Sequence, residues 1–197
     1  MLSASRSTWF SLTALCFAIF VVIGGCGSDT PKAAPKPPKP VEDLAMTATD
    51  FVNVHDMTPI RGFFVANKLG HLEETVKIAT ANKGGKYPVG TIIQLVPQEA
   101  MVKRRAGFNP KTKDWEFFFL ATDANGTTIE KRGGEEVVNR FGGNCAACHA
   151  AAQGKFDLVC EKTHGCAPLP IGDDVIHAVQ TADPRPRAAK NSPAVGV

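Results

Sequence analysis

The sequence predicts an α+β domain, mainly antiparallel β-sheet with a few helices, whose C-terminal helix carries a C-x-x-C-H motif. Three observations lead there. Residues 113–133, "KDWEFFFLATDANGTTIEKRG", read as two strands joined at Asn125-Gly126, the best hairpin signal in the chain. Short apolar runs at 61–67 and 91–105 are strand-like. Apart from the motif region, only 69–82 shows clear helical spacing.

The elements follow in order. "RGFFVAN" (61–67) is short and apolar enough for a strand. "LGHLEETVKIATAN" (69–82) sets Leu69, Leu72, Val76 and Ala79 on one helical face, with Glu73 and Glu74 a turn ahead of Lys77. "GGKYPVG" breaks that helix. "TIIQLVPQEAMVKRR" (91–105) reads as one strand, interrupted or kinked near Pro97. "EEVVNRFGGNCAACHAAA" suggests two short helices joined around Gly142-Gly143, the second bearing Cys145, Cys148 and His149.

The N-terminus has one cation, Arg6, an uncharged apolar run from Trp9 to Ile23, and then small residues. That is the layout of a secretory signal over residues 1–25, and the run falls short of the ~20 residues a membrane span prefers. Its end, Ile23-Gly24-Gly25-Cys26, resembles the bacterial lipoprotein box, in which cleavage before the cysteine exposes a thiol that receives a diacylglycerol. Residues 26–43 are rich in proline and lysine and nearly free of large apolar side chains, as expected of an extended tether. At ~3.1 Å per residue such a tether reaches roughly 50 Å. One domain is expected over 44–183 and a disordered tail over 184–197. These segments place the protein on the periplasmic side of a bacterial membrane, lipid-anchored. The net charge of +3 is spread along the chain and gives no nucleic-acid footprint.

Export implies an oxidising compartment, which decides how the cysteines are read. Cys16 lies inside the signal and Cys26 takes the lipid, leaving Cys145, Cys148, Cys160 and Cys166. C-x-x-C followed at once by His is the pattern of c-type haem attachment. Two thiols about one helical turn apart meet the two vinyl groups of one porphyrin edge, and the adjacent imidazole of His149 reaches the iron. A redox dithiol and a zinc site are the rivals. The first lacks the alternating strand and helix pattern of thioredoxin-like folds, and the second would recruit Cys145, Cys148 and His149 or a later cysteine pair. Cys160 and Cys166 form the obvious disulfide; a Cys160–His164–Cys166 metal site is the weaker reading.

With this motif late in a sheet-rich domain, the chain resembles the cytochrome P460 and cytochrome c′-β group. The likeness rests on "KYPVGT" (86–91), "WEFFFL" (115–120), "DANGTT" (123–128), and "GGNCAACHAAA" (142–152) followed by "FDLVC". It covers roughly residues 59–177. The resemblance implies one covalent haem c per subunit, His149 as axial iron ligand, a homodimer, and a small gaseous or nitrogenous ligand such as nitric oxide. It also implies a distal side that is open or capped by aromatic rings, with Phe63, Phe64, Phe117 and Phe119 as candidates. The P460 branch oxidises hydroxylamine and joins a lysine to the haem. At the matching position, beyond Thr91, this sequence has Leu95, with Lys86 and Lys103 flanking the strand.

The sixth iron position separates a ligand binder or haem oxidoreductase from a carrier serving a periplasmic redox partner, because a carrier fills it with Met or His. Met46, Met57, Met101, His55, His71, His164 and His177 are the candidates, and none is marked by a motif. Arg104, Arg105 and Arg140 are candidate partners of haem propionates.

Overall fold

The computed structural model describes residues 43–189, all within one compact unit. Six strands form one antiparallel sheet in sequence order: β1 (Thr58–Ile60), β2 (Phe63–Asn67), β3 (Thr91–Gln94), β4 (Glu99–Lys103), β5 (Trp115–Asp123) and β6 (Gly126–Gly133). Three α-helices accompany it: α1 (Leu72–Thr80), α2 (Cys145–His149) and α3 (Asp173–Thr181). The α+β expectation therefore holds. No helix among the described residues is long and apolar enough to cross a membrane.

A strand sends alternate side chains to opposite faces, so each strand contributes to two separate cores. On one face Val65, Ile93, Met101 and Phe117 form a cross-strand row, joined by Trp115, Tyr87, Leu158 and Val159. On the other face Phe64, Ile92, Val102, Phe118 and Leu120 pack with Leu44, Met46, Phe51 and Val54 from the N-terminal segment. That second face is held by charge as well. Arg104 bonds Glu116 and Asp43, and Arg132 bonds the same Glu116.

Several elements depart from the sequence reading. Residues 91–105 make two strands rather than one kinked strand, because the chain reverses across Pro97 and Glu99 N–H donates to the Val96 carbonyl. The hairpin connection is Ala124-Asn125, with Gly126 (φ +130°) already paired to Asp123 as the first residue of β6. Residues 135–144 form a loop, not a helix. There Asn139 Oδ1 accepts from Phe141 N and Gly143 N, offering the backbone an alternative to helical bonding. The motif helix is followed by α3, a further helix beyond those expected, so the motif is not on the last helix of the described residues. The expected tail also begins too early. Arg185 is 3% exposed, pairs with Asp183 and donates to the Phe51 carbonyl. The signal, Cys26 and most of the tether, like residues 190–197, lie outside the described residues.

Candidate functional site

Cys145, Cys148 and His149 come together on α2, a helix of five residues built by its surroundings. Asn144 is its N-cap: Oδ1 accepts from Ala147 N (2.8 Å), while Nδ2 donates to the Glu135 carbonyl (2.6 Å). Cys145 N donates to the Val137 carbonyl, and Cys145 and Ala146 pack on the Phe117 face of the sheet. The two cysteines are free thiols, one half-buried and one exposed.

The imidazole of His149 is fixed from behind. Its Nδ1 lies 2.7 Å from the Leu158 carbonyl oxygen, and since a carbonyl only accepts, Nδ1 carries the proton. Burial pushes this histidine's pKa down, favouring the neutral ring. Nε2 is then left with a lone pair, as a metal ligand requires. The Phe117 ring supports the imidazole at 5.2 Å between centroids.

The Leu158 carbonyl is itself anchored. Asp157 and Leu158 both adopt left-handed backbone (φ +52° and +66°), a conformation L-residues hold only when surroundings over-determine it. Those surroundings are the Asp157 side chain and carbonyl. The carboxylate meets Lys103 Nζ at 2.7 and 2.9 Å and accepts from Tyr87 N, and the carbonyl accepts from Trp115 Nε1 (2.6 Å). The Lys103–Asp157 pair is buried, with side chains 1% and 8% exposed. The sequence singles out Lys103 only as a lysine flanking a strand, and nothing in it marks Asp157 or the Leu158 carbonyl. Asn144 carries a local signal, a cap-type residue directly before a helix.

Burial and the nearby Glu99 carboxylate push the Cys145 thiol up to about 11. A redox-active dithiol needs the opposite, a thiol easily lost to thiolate. Among the described residues no group of three or more His, Cys, Asp or Glu side chains is placed to hold a metal ion. Cys160 and Cys166 are joined in a disulfide, which also takes them out of any metal site. The Cys160 sulfur lies 3.8 Å from the Cys148 carbonyl oxygen, which sets this bridge beside the motif helix. One neutral nitrogen acceptor beside two thiols a turn apart suits a group attached through thioethers and ligated once. Phe141, in the loop just before the motif, is 70% exposed, and Leu95 and Phe119 are only partly buried at the edge of the same core. These apolar surfaces suit a flat hydrophobic macrocycle.

The aromatic candidates separate by face. Phe117 touches His149, and Phe119 shares its side of the sheet. Phe63 is on that face but buried on β2, with β3 and β4 between it and β5. Phe64 is a correction: one residue along, it points into the opposite core beside the ring of His55 and cannot line the same pocket. Arg104 is likewise committed to Glu116 and Asp43 on that far face. Of the sixth-ligand candidates, Met46 and Met57 lie in the opposite core, and His71 and His177 are exposed. His55 Nε2 is engaged by the Gln180 carbonyl, and His164 stacks on Phe156 with Nδ1 donating to the Val159 carbonyl. Met101 alone lies in the core against which the motif packs. Glu99, which the sequence reading did not consider, stands beside Cys145 and Asn139, and burial raises its pKa.

Comparison with family models, with curated proteins and with solved structures returns no match for this chain.

Proposed function

We propose that the chain is an exported mono-haem c-type cytochrome of the P460 and c′-β kind, lipid-anchored through Cys26 on the periplasmic side of a bacterial membrane. It binds or transforms small nitrogen-oxide ligands, nitric oxide first, at the haem iron. One observation carries the reading: His149 donates its Nδ1 proton to the Leu158 carbonyl, which leaves Nε2 a free acceptor on the same short helix that carries Cys145 and Cys148. Cys145 and Cys148 would hold haem c through thioethers, and His149 would be its axial ligand. The haem supplies the redox and ligand-binding chemistry; this chain binds and orients it and sets the polarity around it. The disulfide-bound Cys160 and Cys166 weigh against zinc, since neither sulfur is then a thiolate ligand.

The hydroxylamine-oxidising reading lacks its lysine. Leu95 occupies the matching position, Lys103 is engaged by Asp157, and Lys86 is exposed on the loop before β3. An electron carrier is favoured by one observation only, the position of Met101, which is packed in register between Ile93 and Phe117.

The test is expression in a host that matures c-type cytochromes, followed by alkaline pyridine spectroscopy and acid extraction. Colour that stays with the protein, and a ferrous spectrum that changes on adding nitric oxide, support the binder. Colour that leaves with the solvent overturns the covalent haem, and a low-spin His/Met spectrum indifferent to ligands favours the carrier.

A further inference from the structure

Between the loop after α1 and the turn after α2 lies an open cleft of about 570 Å³. Lys83, Lys86, Lys113 and Lys155 line it, and none of them has a carboxylate within ion-pair distance among the described residues. Six described lysines lack such a partner, the other two being Lys77 and Lys131, so four of the six converge on one concavity. The two carboxylates in the lining are already engaged. Asp114 Oδ1 accepts from Gly107 N and Asn109 N, and Asp157 is neutralised by Lys103.

The walls are built, not draped. Gly85 N donates to the Lys155 carbonyl, Lys113 Nζ to the Gly154 carbonyl and Lys103 Nζ to the Lys113 carbonyl, tying three chain segments around the cleft. Gly84 sits so close to the opposite wall that a Cβ would fall 2.3 Å from the Lys155 carbonyl oxygen, at φ +72°. Ammonium groups held together without counterions raise the local positive potential, which concave low-dielectric walls focus. The volume falls in the ordinary range of small-ligand sites, roughly 300–1,000 Å³.

We propose that this cleft binds a multivalent phosphate anion, either free or carried as a lipid headgroup. Lysines act on phosphate as mobile point charges with several donors each, so a polyvalent oxyanion satisfies several at once where chloride satisfies one. The site is distinct from the motif. None of Cys145, Cys148 and His149 is among the residues that line the cleft.

The experiment is calorimetric titration of the full chain with tripolyphosphate and, separately, with soluble short-chain phosphatidylglycerol, at constant ionic strength. Saturable binding of at least one probe is expected. The exposed triple variant Lys83→Gln/Lys86→Gln/Lys155→Gln weakens it about tenfold or more. Lys77→Gln/Lys131→Gln, which removes the two unpaired lysines elsewhere, leaves it within about twofold. Unchanged circular-dichroism melting of both variants keeps the comparison clean. Preference for tripolyphosphate identifies a free anion, and preference for the lipid identifies a headgroup. No saturable binding of either probe, or equal weakening by both variants, overturns the proposal.

Discussion

On the face shared by Ile92, Val102 and Phe118, both ends of the described chain lie against the 51–55 segment and the sheet. Arg104, Arg132 and Arg185 tie them down through Glu116, Asp43, Asp183 and backbone carbonyls. On the face shared by Ile93, Met101 and Phe117, a short helix presents Cys148 to solvent, Phe141 is uncovered nearby, and a buried ion pair holds a carbonyl against an imidazole. Charge is buried on both sides but spent differently. On the first it fixes chain ends; on the second it fixes the orientation of one side chain. The difference teaches that a buried ion pair here is not only a stabilising device, since one of them also fixes the tautomer of a histidine.

The largest expected effect breaks that dependence. Lys103→Met leaves Asp157 buried and uncompensated, and the domain should lose about 3–5 kcal/mol in urea denaturation. In the fraction that still folds, nitrogen NMR should show His149 no longer confined to the Nδ1–H tautomer. Arg104→Met is the matching change on the other face. Glu116 keeps both contacts to Arg132, so the loss should be nearer 2 kcal/mol, with His149 unaltered. An altered His149 signal in that variant would abolish the contrast between faces.

Smaller is the effect of acid on the stability of the bare polypeptide. Burial holds the folded His149 below its ordinary value of 6.5, so below that pH the unfolded chain takes up more protons than the folded one. Stability is therefore retained above pH 6.5 and declines as pH falls towards the depressed folded value. Glu99, raised by burial, pulls the other way nearer its own range, so the His149 share is read as the difference between wild type and His149→Leu in urea midpoints from about pH 7.5 to 5.5. Last, Phe141→Ser should change the stability of the polypeptide by no more than about 0.5 kcal/mol, because the ring is 70% exposed. A larger loss would mean that the open face is packed after all.

Much of this fold was legible because its signals are local. The aromatic strand 115–120, the hairpin and the α1 helix follow from periodicity and turn chemistry over a few residues. The motif trio was legible for the same reason, and so was the Cys160–Cys166 bridge. What the sequence could not convey is pairing at distance. Lys103 and Asp157 are 54 residues apart, and Lys103 read as a flank of a strand until the sheet brought it under Asp157. Phe63 and Phe64 looked equivalent as neighbours, yet period-two alternation sends them to different cores, and only tertiary packing says which faces the motif. Asn139 shows how a local competitor can win: its side chain satisfies two backbone donors and removes the helix that the apolar spacing of 135–141 suggested.

The hydrogen bond from His149 to Leu158 also joins two equilibria. Asp157, the residue before the acceptor Leu158, is held by Trp115 and Lys103, which reach it only when the sheet is complete, so the imidazole is locked in one tautomer by the native state and is free to switch in the unfolded chain. Any species that takes the Nε2 lone pair more readily from the locked ring binds the native state in preference, and mass action then raises the melting temperature. Thermal unfolding thus becomes a gauge of occupancy at this nitrogen, readable without colour or turnover.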